Sequence, residues 1–136
     1  MTLEELTGNF ALLENWDDRY GYLIELGARL PPMPDGLKTD ATLVPGCASQ
    51  VWIAPLPVGP NGGMAFAADS DSQIVRGLIA ILMIAFSGKT PQEILAFDIA
   101  PVFEKLGLAD HISANRKNGF AAMTSRIRAL AAGAGA

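Results

Sequence analysis

The twelve residues between Arg76 and Lys89 carry no charge, and no other stretch constrains the fold as tightly. A helix that crosses a membrane needs about 20 apolar residues. A run this short is therefore read as a helix buried inside a globular core, covered on most sides by other elements. Just upstream, Asp69, Ser70, Asp71 and Ser72 offer side-chain oxygens for a helix N-terminus, and their charge suits that end of the helix dipole. The pattern predicts a helix over residues 73–86, with Gly88 able to end it.

A chain of 136 residues can bury such a helix within one domain, without disulfides or a structural metal. Its make-up, 50% hydrophobic and 18% charged, is that of a soluble globular protein. A net charge of −4 argues against a nucleic-acid partner, because phosphate binding needs clustered Lys and Arg. The start, Met1-Thr2-Leu3-Glu4-Glu5, lacks the basic-then-apolar order of a signal peptide. A single cysteine leaves no internal disulfide framework and no Cys-rich metal site from one chain, and points to a reducing compartment. The expectation is a cytoplasmic protein with no nucleic-acid partner, no membrane partner and no metal.

Helical signals flank a strand-like middle. Thr2 and Glu5 have capping-box spacing, and Leu3, Leu6, Phe10 and Leu13 recur at helical intervals. A second helix is expected over residues 16–26, with Gly27 as its stop or a continuation to Leu30, and with Gly21 an unfavourable interior residue. Three prolines within residues 31–34 require an irregular loop. Short strands are expected at residues 42–44, 50–55 and 64–68, the last two joined by the turn chemistry of Gly59-Pro60-Asn61-Gly62-Gly63. Thr90-Pro91-Gln92-Glu93 is a second capping box, and Pro101 opens a short helix ended by Gly107. Ser113 caps a last helix whose apolar face is Phe120, Met123, Ile127 and Leu130, with an Ala/Gly tail from Ala131 expected to fray. The sum is one α+β domain over residues 1–136, with a small antiparallel sheet of about three strands flanked by helices.

Within this frame the lone thiol stands out. It lies in Val44-Pro45-Gly46-Cys47-Ala48-Ser49-Gln50-Val51-Trp52, where proline and glycine place Cys47 on a turn leading into a strand. The residues by themselves leave two readings open, an inert packed thiol and a displayed reactive one. A thiol hydrolase would need a histidine base, and the only histidine, His111, reads as a surface or capping group near the last helix. The glycines of residues 59–63 lack the lysine and the strand–loop–helix order of a phosphate loop. Asp69-Ser70-Asp71 lacks the spacing of a calcium loop.

Several motifs occur in a fixed order. They are Trp16-Asp17-Asp18-Arg19-Tyr20, Leu23-Ile24-Glu25-Leu26-Gly27, the Cys47 segment and Ala68-Asp69-Ser70-Asp71-Ser72. After them come Ile74-Val75-Arg76-Gly77-Leu78, Ser87-Gly88-Lys89-Thr90-Pro91 and Arg116-Lys117-Asn118-Gly119-Phe120. In family order they span about residues 10–130 and resemble the SufE family, the sulfur acceptors that serve cysteine desulfurases in iron–sulfur cluster assembly. Gly21, Thr42 and Phe120 depart from the family pattern, away from the cysteine motif.

The resemblance implies a SufE/NifU-like (IscU-like) fold, and a carrier on which Cys47 holds sulfur as a cysteine persulfide. The implied partners are a SufS/CsdA-like cysteine desulfurase, which this chain would stimulate, and a SufBCD-like iron–sulfur scaffold. The chain needs no cofactor of its own, the desulfurase using pyridoxal phosphate, and is expected as a monomer or weak homodimer. It would be a covalent carrier and activator rather than an independent enzyme. Gly46, Ser49, Trp52, Asp71 and Arg116 are the supporting or partner-facing residues. For Arg116, a cation that favours the thiolate or meets the partner stands beside a solvated helix-start arginine. For Asp71, partner contact stands beside helix capping. The competing functional reading is an adaptor that docks on the same complex without carrying sulfur.

Overall fold

The uncharged run forms α3 (Gln73–Phe86) in the computed structural model, which describes residues 1–135. Leu78, Ile79, Ile81, Leu82 and Phe86 are fully buried, so this helix is the centre of the core. It packs against α2 (Trp16–Ala28) on one side and against β2 (Phe66–Ser70) and α6 (Ala114–Gly135) on others. The remaining helices are α1 (Leu3–Leu12), α4 (Pro91–Ala96) and α5 (Ala100–Lys105). Both capping boxes form as the spacing requires: Thr2 and Glu5 close the start of α1, and Thr90 and Glu93 the start of α4.

The helix ends reveal where local signals mislead. α2 runs through Gly27 to Ala28, past the first of the two expected ends and short of Leu30, the second. Gly27 is used instead for contact, because a Cβ there would lie 2.7 Å from the Gly77 backbone nitrogen. A Cβ on Gly77 would in turn lie 2.5 Å from the Leu23 carbonyl oxygen. Two glycines thus let α2 and α3 cross backbone to backbone. α6 also outlasts expectation, since Ala131 is buried and the helix continues to Gly135 rather than fraying from Ala131. Of the expected tail, Ala136 lies outside the described residues.

The sheet is a hairpin, β1 (Val51–Pro55) antiparallel to β2, in register from Val51↔Ser70 to Pro55↔Phe66. The strand expected at residues 64–68 is displaced to Phe66–Ser70. Met64 is taken elsewhere: its N–H donates to the Lys89 carbonyl, and its own carbonyl accepts from Gly88. Asp69 and Ser70 consequently sit in a strand, and Ser72 alone caps α3, accepting from the Val75 N–H at 3.4 Å. The third strand expected at residues 42–44 is reduced to one antiparallel bridge, Leu43↔Trp52. Pro45 has no donor and Gly46 takes φ +86°, so pairing stops where the cysteine turn starts.

Candidate functional site

Cys47 sits on the turn between that bridge and β1, half-buried against α6. Gly46 makes the turn, since φ +86° is a left-handed conformation that an L side chain adopts only with strain. Its Cα faces α6 closely enough that a Cβ would touch Ala122 at 3.6 Å. The Cys47 S–H donates to the Gly119 carbonyl at 3.7 Å, a long and weak contact. Gly119 faces the sulfur directly: a Cβ there would meet Sγ at 3.6 Å, an ordinary packing contact.

Beside the sulfur is a cavity of about 20 Å³. Val75, Leu78 and Met123 form its apolar wall, with Asn115 and Arg116 at the start of α6 and Ala48 and Ser49 on the loop side. A space of that volume holds about one water-sized particle. Burial pushes the Cys47 thiol above its ordinary pKa, so the tucked sulfur is held as neutral S–H. A larger open groove, about 440 Å³, runs over Phe103 and Phe120; its lining has no thiol, and its charged groups are Lys117 and Glu104.

The structure brings some of the expected site residues to the thiol and assigns others to support. Arg116 lines the cavity but is exposed, and its guanidinium has no hydrogen-bond or ion-pair partner among the described residues. Its backbone N–H donates to Ser113 Oγ at 3.2 Å, so Ser113 does cap α6. Ser49 is half-buried at the cavity rim. Asp71 is exposed and does not cap α3; its Oδ1 accepts from the Gln50 N–H at 3.1 Å, tying down the loop just after the cysteine. Trp52 is half-buried opposite Asp69, with Lys38 Nζ 5.4 Å from its ring. His111 lies at a distance, stacked on Trp16 at 3.8 Å.

A charged cluster behind the loop escaped the sequence reading. Asp69, with a side chain only 12% exposed, pairs with Lys38 at 2.8 Å and with Arg76 at 2.7 Å, and also accepts from the Ser70 N–H. Burial by itself would raise this carboxyl, but the bonds from Arg76, Lys38 and Ser70 outweigh it and bring the pKa down to about 2. The signal was present: an acid inside the apolar run Phe66-Ala67-Ala68-Asp69 has to find a cation once that run is a buried strand. Gly119, which faces the sulfur, stood in a recognised motif without a role of its own.

Among the described residues, no three His, Cys, Asp or Glu side chains are grouped so as to hold a metal ion, and no helix is long and apolar enough to cross a membrane. The sequence profile of SufE, described as the Fe-S metabolism associated domain, matches residues 4–131. An uncharacterised SufE-like protein of Rhizobium meliloti (strain 1021) is 43% identical over 134 residues, which is 97% of this chain and 96% of that protein. A second, from Rhizobium etli, is 43% identical over 129 residues, covering 93% of this chain and 87% of that one. The solution structure of a hypothetical protein from Thermus thermophilus superimposes with a TM-score of 0.78 at 21% identity, over 98% of each chain. That likeness shows the same fold.

Proposed function

The chain belongs to the SufE family, whose domain is associated with iron–sulfur metabolism, and on that premise we propose that Cys47 carries sulfur as a persulfide. A cysteine desulfurase is the donor on this reading, and an iron–sulfur assembly scaffold the recipient. The observation that carries it is the setting of the thiol, on a glycine-hinged turn beside a cavity the size of one added atom.

The chemistry is an exchange at sulfur with no net redox change. The Cys47 thiolate attacks the terminal sulfur of the donor's cysteine persulfide. A new S–S bond forms at Cys47 as the donor's S–S bond breaks, and the electron pair leaves on the donor cysteine, which takes up a proton. The product is Cys47–S–SH, ready to repeat the step toward a recipient thiol. Attack requires a thiolate, and the tucked position disfavours one by burial. Opening of residues 45–49 into a more polar donor pocket therefore switches the thiol on. Among the described residues, only the weak S–H···O contact to Gly119 and side-chain packing have to be released. Retracted, the same sulfur is sheltered from oxidants.

Incubation of the purified chain with a cysteine desulfurase and free cysteine, followed by intact-mass measurement, tests this. One added sulfur that maps to Cys47 is expected. A Cys47→Ser variant is expected to fold normally and to lose both the added sulfur and the stimulation of sulfur release. Full stimulation by Cys47→Ser would instead favour an adaptor that docks without carrying sulfur.

A further inference from the structure

Arg126 reaches from α6 across the chain to the segment that leads into the cysteine turn. One guanidinium nitrogen donates to the Ala41 carbonyl and the other to the Leu43 carbonyl, both at 3.2 Å. The intervening groups are bonded in the opposite direction: the Thr42 carbonyl accepts from Ile53, and the Val44 N–H donates to Val51. This alternation is that of a strand with a neighbour on each edge. β1 supplies one neighbour. In place of a further strand, a forked side chain supplies the other.

We infer that Arg126 is a positioning residue for Cys47, clamping the upstream end of its loop so that opening is confined to residues 45–49. The downstream end is held at Gln50 and by the β1 ladder. Between the two ends, the amides of residues 46–49 make no backbone hydrogen bond among the described residues. The flap is thus short and its travel defined. Without the fork, the upstream segment keeps its bridge to β1 and the Thr39–Thr42 turn bonds but loses its tie to α6, and the mobile stretch extends back from Pro45 toward that turn. The inference rests on the carrier reading for its purpose, though not for its test.

The test is alkylation of Cys47 by iodoacetamide in the full-length, partner-free protein, with amide hydrogen exchange on the same samples. In the wild type, the amides of residues 46–49 are expected to exchange fast and those of Val44 and Ile53 slowly. Arg126→Ala should alkylate about five- to tenfold faster, as expected for loss of a charge-assisted pair of hydrogen bonds. The same variant should speed exchange at Val44 and Ile53. Arg126→Lys should fall between, because an ammonium cannot bridge two carbonyls as a planar fork does. Arg128→Ala is the control: Arg128 donates to the Phe97 carbonyl at 3.4 Å, away from the loop, so its loss should leave alkylation at the wild-type rate.

Wild-type alkylation in Arg126→Ala, or equal acceleration in Arg128→Ala, overturns the clamp. Slow exchange across residues 46–49 in the wild type overturns it too, without any variant. Sulfur loading by a desulfurase, measured in parallel, separates the two claims. A wild type that takes no sulfur defeats the carrier reading while leaving the clamp to be judged on alkylation and exchange.

Discussion

Replacing Gly77 by alanine should destabilise the fold, whereas the same replacement at Gly21 should stabilise it, although both sites are helical. At Gly77 the new carbon would sit 2.5 Å from the Leu23 carbonyl oxygen and 2.9 Å from its carbon. These are backbone atoms of α2 and cannot rotate aside. Comfortable carbon contacts lie at about 3.5–4.0 Å, so the helices must part by about 1 Å at their crossing. Overpacking costs about 1–3 kcal/mol, and a clash with backbone that cannot move aside belongs at the upper end, about 2–3 kcal/mol. Better helix propensity returns up to about 1 kcal/mol, leaving a net loss of about 1–2 kcal/mol. With an unfolding entropy of about 2.1 cal/mol/K per residue, the midpoint should fall by about 3–7 °C. Gly21 is exposed, and a Cβ added there would meet nothing within 4 Å. Alanine at that site keeps the propensity gain and should raise the midpoint by about 2–4 °C. Scanning calorimetry of the two variants is the assay. A Gly77→Ala midpoint at or above the wild-type value would refute the close crossing.

Two further outcomes concern charge. The folded pKa of Asp69 is lowered to about 2, against about 3.9 unfolded. The stabilisation it brings is therefore complete above about pH 4 and lost as pH falls toward about 2, a slope that Asp69→Asn should flatten in acid-unfolding curves. At neutral pH that variant should lose about 1–3 kcal/mol in urea titrations, since Lys38 and Arg76 are left without their shared acceptor. Cys47 has the opposite sign: its folded pKa is raised, so the fold prefers the protonated thiol. Stability should decline as pH rises past about 8.5, the value for a free thiol, and the alkylation-rate profile of the partner-free chain should lie on the alkaline side of that value. A profile on the acid side would mean that Arg116 outweighs burial.

Local signals made much of this fold legible. The length of the uncharged run, the two capping boxes and the proline–glycine turn each depend on a few adjacent residues, and each appears where the sequence places it. What escaped depends on pairs far apart in the chain. Gly27 reads as a helix stop until Gly77 is seen against it. Asp69 reads as a cap until Lys38 and Arg76 close on it from two other segments. The strand at Phe66–Ser70 shifted because the segment after α3 claims Met64. At the site, Cys47 was found from its neighbours, while Gly119 and Arg126 act on its loop from a helix far downstream in the chain.

The cavity beside Cys47 also bears on how large a load the chain can hold. At about 20 Å³ it has room for about one atom beyond Sγ. On the carrier reading, a longer polysulfide would project past Ser49 into solvent, where thiols and other reductants could shorten it. Delivery would then be counted in single atoms, with stoichiometry set by the dimensions of the shelter.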